Sequence, residues 1–176
     1  MKLKKRYLLL LIAISLFLVD FGLTWYFLNY TAYAEEGNPL FAIDGGYLSL
    51  IINLIYVVTV FIIGYKIEKY QTIIIEANSS FDYFKKLYKT NHYDFIIISV
   101  LTSFIYSSFV SRLVAIIEWI VYGIYQSDFY DTKYAIIKAK MPFGRYDILF
   151  IFIAFFIFIF IWFKSEYNKS NKLLKV

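Results

Sequence analysis

Four long apolar runs dominate this chain, each bounded by polar or aromatic residues. The first, Tyr7 to Leu28, is 22 residues long and carries one charge, Asp20. At 1.5 Å per residue a helix of that length crosses a hydrocarbon layer of about 30 Å. The second, Tyr47 to Tyr65, carries no charge, and Asn53 is its most polar member. The third, Phe95 to Tyr125, is 31 residues long and contains Arg112 and Glu118. The last, Ile148 to Phe163, is uncharged, and Pro142 just ahead of it suits the entry to a helix. The pattern predicts an all-α polytopic integral membrane protein in one membrane domain. Its spans fall near 7–28, 47–65, 95–125 and 146–163, with short interfacial helices between them.

The third run is open to two readings. It is one long tilted helix of about 46 Å, or it breaks near Ser111-Arg112 into two short spans, giving five in all. Charge does not decide, because either topology puts thirteen basic residues on one side and four on the other. Length favours one helix, since Leu113 to Tyr125 is only 13 residues.

The polar segments set the orientation. The N-terminal flank is MKLKKR, whereas residues 29–46 hold Glu35, Glu36 and Asp44 and no Lys or Arg. The positive-inside rule then places both termini in the cytoplasm. Residues 66–94 carry five lysines and belong on the same side. Their apolar positions (Ile73, Ile74, Ile75, Phe81, Phe84, Leu87 among them) suit one or two helices on the membrane surface, or a partly ordered connector. The Lys-rich tail, 164–176, reads as a cytoplasmic anchor. Residues 126–146 mix both signs of charge, and Tyr134 to Ile137 can dip into the interface. The basic start and Ala32-Tyr33-Ala34 also resemble a signal peptide, but the apolar run exceeds a usual signal core.

Composition agrees. Of the 176 residues 61% are hydrophobic and mean hydropathy is +0.63, above the 45–50% or so of soluble domains. Aromatic residues make up 23%. The net charge of +5 is explained by basic loops, and no soluble basic face suggests a nucleic-acid partner. With no cysteine, thiolate chemistry and Cys-ligated metals are excluded. The abundance of Ile, Lys and Tyr suggests an A/T-rich prokaryotic genome.

Candidate chemistry centres on Asp20. An acid in hydrocarbon costs roughly 2.5–3.5 kcal/mol on insertion scales and calls for a partner. Thr24 follows at i+4 on the same helix face and can donate to the carboxylate. Arg112 is the only basic residue deep in an apolar run, so an Asp20–Arg112 ion pair between the first and third helices satisfies both. Such a pair either fixes helix packing or forms part of an ion or proton site. Glu118 lies six residues from Arg112, about 120° around the helix. Beyond the first run, Glu36-Gly37-Asn38-Pro39 reads as a turn, with Gly37 free to take positive φ and Pro39 holding Asn38 extended. Glu36, Asn38 and Asp20 together offer oxygen ligands to a cation, although three oxygens do not define a metal site.

Enzyme signatures are mostly missing. His92 is the one histidine and lies in a loop, and there is no H-E-x-x-H, P-loop or G-x-G-x-x-G. No catalytic residue, metal or cofactor is assigned.

The run Asp20-x-x-x-Thr24, then Glu36-x-Asn38-Pro39, resembles a family of small prokaryotic membrane proteins classed as a domain of unknown function (DUF5658). The resemblance covers about residues 10 to 66. It implies a helical membrane architecture, marks Asp20, Thr24, Glu36, Asn38 and Pro39, and supplies no reaction.

The sequence therefore points first to a small non-enzymatic membrane protein. It would reside in the cell membrane as an accessory subunit packed against lipid and other membrane subunits. The alternative is an ion- or proton-coupled transporter using Asp20. A membrane-embedded hydrolase using Asp20 and Glu36 comes third.

Overall fold

The apolar runs fold as helices in a computed structural model, which describes residues 4–30, 46–124, 136–137, 139–140 and 146–175. Among the described residues five helices follow in order: α1 (Lys5–Tyr30), α2 (Tyr47–Lys69), α3 (Ser80–Lys89), α4 (Tyr93–Ile124) and α5 (Tyr146–Leu174). No strand occurs among the described residues. By length and composition α1, α2, α4 and α5 can each cross a membrane. The expected Glu36–Pro39 turn, and nearly all of the 126–145 segment, lie outside the described residues.

Residues 93–124 form one unbroken helix, so Arg112 sits within α4 and not at a break. α4 is the hub of the bundle. It is the most buried of the four long helices, packs most extensively on α5, and also touches α1, α2 and α3. Its α5-facing side is built for close approach. Phe95 stacks on Phe163, and Tyr106 lies against Phe158. Ser99 and Thr102 share that helix face and are fully buried. Small side chains let helix backbones come close where no water-driven force acts between spans. The Ser99 hydroxyl is satisfied by the Phe95 carbonyl, 2.6 Å away and one turn back.

α1 and α2 meet just as closely. Gly64 of α2 faces the backbone of Arg6, and a Cβ there would stand 3.1 Å from Arg6 Cα. The Arg6 guanidinium lies over the rings of Tyr7, Phe61 and Tyr65 and comes within 3.8 Å of Glu68.

The bundle has one strongly basic end, where α1 begins, α2 ends, α4 begins and α5 ends. Residues 70–79 form a non-helical strap across it. α3 then starts at an N-cap: Ser79 Oγ accepts from Asp82 N at 3.1 Å, and Asp82 Oδ2 accepts from Asn78 N at 3.1 Å. These reciprocal bonds satisfy two backbone donors around the helix start. The Asn78 N–H, and then Lys86, hold the Asp82 carboxyl below the ordinary carboxylate range. α3 is amphipathic. Tyr83 and Leu87, one turn apart, are fully buried, while Phe81 is exposed. It ends in a Schellman motif: His92 N bonds Leu87 O, Asn91 N bonds Tyr88 O, and Asn91 takes φ 59°. His92, the lone histidine, thus serves a turn.

α5 runs eleven residues past Phe163, where the sequence suggested a simple basic tail. Nothing in KSEYNKSNKLL breaks a helix, and the strap gives that extension a partner. Glu166 and Ser170 are fully buried beneath it. Thr72 Oγ1 donates to Glu166 Oε2 at 2.8 Å, and Lys169 Nζ donates to Glu166 Oε1 at 2.6 Å. Ser170 Oγ accepts from Ile75 N at 3.0 Å and donates to Ile75 O at 3.1 Å, so one hydroxyl satisfies both backbone groups. Tyr83 adds a third tie, donating to Ile73 O at 2.7 Å. Burial, and then the nearby Glu166 carboxylate, push its phenol well above the ordinary range.

Two glycines predict opposite outcomes. Gly64→Ala forces α1 and α2 apart and costs about 1–3 kcal/mol of unfolding free energy by overpacking. Gly22→Ala, with nothing within 4 Å of the added Cβ, gains about 0.5–1 kcal/mol from helix propensity. Denaturant titration of the purified protein in mild detergent checks both signs. At the strap, Ser170→Ala leaves the Ile75 N–H and C=O unpaired at a cost of roughly 1–3 kcal/mol. The measurable sign is faster hydrogen exchange at the Ile75 amide, with amides in the middle of α1 unaffected.

Candidate functional site

Away from the basic end, three helices bring their most polar residues to one place. Asp20 stands about 22 Å along α1 from Lys5. Arg112 on α4 reaches it, Nη1 donating to Oδ2 at 2.9 Å. The other terminal nitrogen of the same guanidinium, Nη2, donates to Asn53 Oδ1 on α2. Asn53 is itself oriented: its Nδ2 donates to the Ser49 carbonyl one turn back, at 2.8 Å. That bond turns the amide oxygen toward Arg112. An arginine suits this position because its planar fork can serve two acceptors on two helices at once.

The guanidinium also rests against an aromatic face. Arg112 Cζ lies 5.2 Å from the centroid of Tyr56, one turn beyond Asn53 on α2. A cation over a ring is attracted by the ring quadrupole, by up to ~2 kcal/mol where water is scarce. The Tyr56 hydroxyl bonds to Ser108 Oγ, and Ser108 donates to Ile105 O at 2.7 Å. Ser108 uses its proton on that carbonyl, so the tyrosine is the donor between the two. Ser108 and Arg112 are four residues apart and share a face of α4, opposite the side that packs on α5.

The structure places the sequence candidates as follows. Asp20 and Arg112 are in direct contact, and both are about one-fifth accessible, 21% and 19%. Thr24 is buried one turn beyond Asp20 on the same face of α1. Beyond it, Phe27 of α1 stacks flat on Trp119 of α4, with centroids 5.5 Å apart, and closes that side of the junction. Glu118 is half-buried on α4. Glu36, Gly37, Asn38 and Pro39 lie outside the described residues, so the outer cation arrangement with Asp20 is not described either. Among the described residues, no three His, Cys, Asp or Glu side chains group to hold a metal ion.

Three participants were not assigned from the sequence: Asn53 as second acceptor, and Tyr56 and Ser108 as the surface beneath the guanidinium. Asn53 carried a usable signal, since an amide in an otherwise apolar run must find partners. Tyr56 and Ser108 carried none, being ordinary residues in a chain with 18 Tyr.

Fold and site together define the class: an all-helical protein with four helices able to cross a membrane, three of them joined by a partly buried polar cluster. Compared with protein-family models, with curated proteins and with solved structures, the chain finds no match.

The cluster predicts a paired mutational response. Arg112→Leu leaves the Asp20 carboxylate without its guanidinium and costs roughly 2–3 kcal/mol, below the ~3–5 of a fully buried pair because both partners keep some access. Asp20→Asn in that background removes the stranded charge and restores most of the loss. Unfolding midpoints of the two single variants and the double variant test this, and an uncoupled, additive result would sink it.

Proposed function

We propose that this chain is a small non-enzymatic membrane protein of a prokaryotic cell membrane, an accessory subunit packed within a larger membrane assembly. The observation that carries the reading is the compensation of Asp20. Its charge is met by a guanidinium that a second helix also grips and that rests on an aromatic ring. A carrier needs an acid open to its ion, whereas this carboxylate is engaged by a guanidinium 2.9 Å away. The arrangement suits a clamp that fixes the register of α1, α2 and α4.

The outer surface supports the subunit part of the proposal. α5 presents Phe152, Phe156, Phe160 and Ile161 outward, each more than half exposed, to be covered by lipid or by a neighbouring span. Both termini and the strap are assigned to the cytoplasmic face, following the basic flanks. Membership of the DUF5658 family belongs to the same proposal and rests on Asp20, Thr24, Glu36, Asn38 and Pro39.

An ion- or proton-coupled carrier is the second reading. It is favoured by the partial accessibility of the Asp20–Arg112 pair. Two measurements separate the readings. Protein gently extracted from its own membranes gives a native mass above that of one chain, whereas a lone monomer counts against the subunit reading. Proteoliposomes of the purified chain dissipate an imposed pH gradient no faster than protein-free vesicles; faster dissipation favours the carrier.

A further inference from the structure

The basic end contains a second polar junction whose chemistry is the reverse of the first. Trp162 of α5 is its centre, 93% buried. Two ammonium groups lie over the indole, Lys5 Nζ from α1 and Lys169 Nζ from α5, each 5.5 Å from the ring centroid. Tyr70, the first strap residue, packs its ring 6.1 Å from the same indole. Glu166, one turn beyond Trp162, supplies the negative charge.

The donors outnumber the acceptors. Both oxygens of Glu166 are in use, Oε1 by Lys169 and Oε2 by Thr72. Trp162 Nε1 is buried with no hydrogen-bond partner among the described residues. The Tyr70 hydroxyl oxygen lies near the Ile73 N–H, but its own proton is buried without an acceptor there. Lys5 has only the indole face and the field of its neighbours, and no acceptor bonds its ammonium among the described residues. Glu166 is the carboxylate that bonds into the junction, and the field of Asp94 also reaches Tyr70. An indole N–H can only donate, and burying a donor unpaired is costly. Three donors around one ring, one of them an ammonium with no bonded acceptor among the described residues, call for an anion with several oxygens.

We propose that Lys5, Tyr70, Trp162 and Lys169 form a binding site for a phosphate group, the headgroup phosphate of an anionic membrane lipid or a free phosphate. The position suits the lipid source. The junction lies where α1 begins and where α5 leaves its apolar run, the depth of the headgroup layer, and basic pockets between spans on that side hold anionic headgroups. Lys5 supplies the free charge, Trp162 Nε1 and Tyr70 supply neutral donors, and Glu166 fixes Lys169 beside them. A bound phosphate would join α1, the strap and α5, which meet here with few direct contacts between α1 and α5.

The experiment is thermal unfolding of the purified full chain in neutral detergent, titrated separately with short-chain phosphatidylglycerol, with a diacylglycerol of equal chain length, and with inorganic phosphate. A ligand that binds only the folded state raises the midpoint as its concentration rises. Phosphatidylglycerol is expected to raise it and diacylglycerol is not. In Lys5→Gln the apparent affinity falls about fivefold, in keeping with the contribution of one basic residue near an anionic surface. Lys89→Gln, an exposed position on α3, leaves the affinity unchanged. If inorganic phosphate alone gives the Lys5-dependent shift, the source is free phosphate and the site stands. If diacylglycerol stabilises equally, if neither phosphate probe shifts the midpoint, or if Lys5→Gln responds like the parent, the proposal is overturned.

Discussion

One guanidinium holds three helices of this protein in register. Arg112 is the only base far inside an apolar run, and in that setting its charge must be compensated by groups that come from elsewhere in the chain. Asp20 gives the counter-charge from α1, Asn53 a neutral acceptor from α2, and Tyr56 a ring face from the same helix. Apolar packing alone is poorly directional, because lipid tails cover a leucine as well as a neighbouring helix does. A bidentate cation is directional. Sliding α1 or α2 by one turn, about 5.4 Å, would strand Asp20 or Asn53. The polar cluster selects one arrangement from many apolar ones.

α4 can play this part because its faces divide the work. The side bearing Ser108 and Arg112 is polar and meets α1 and α2. The side bearing Phe95, Ser99, Thr102 and Tyr106 meets α5 with small residues between aromatic ones. α5 therefore needs no polar residue in its apolar run to find its place. It is located by shape within the bundle and, at the basic end, by the bonds of Glu166 and Ser170 to the strap.

Much of this was legible from the order of residues, for a physical reason. A membrane span declares itself by length and apolarity, and a lone acid and a lone base in different spans limit each other's choices. Asp20 and Arg112 stood out because each was the sole member of its charge type deep in its run. The same argument failed at the basic end. Glu166 lies among lysines in a polar stretch, where a buried carboxylate and a solvated one look alike in sequence. The fold buries it only because an extended strap, which has no periodicity to announce it, crosses the helix there. Ser170 is hidden in the same way. The boundary of α5 was missed for this reason as well: apolarity ends at Phe163, but the helix does not, since its later turns pack on protein instead of lipid.

The two polar junctions differ in a way that bears on what each can do. At Arg112 the charge is met, and the acid, the amide and the ring all converge on one cation. A matched cluster in a low-dielectric setting rigidifies and specifies the fold, and it gains little from a further ligand. At Trp162 the bonding is uneven: two ammonium groups, an indole N–H and a phenol gather where the one bonded carboxylate, Glu166, has both oxygens taken. An uneven cluster is stable only if something outside the chain evens it, or if its buried donors bear a standing cost. The headgroup layer is rich in anionic oxygen at the depth where α1 starts and α5 leaves hydrocarbon. The junction at Arg112 accounts for why the spans pack as they do, and the one at Trp162 carries the proposed phosphate site.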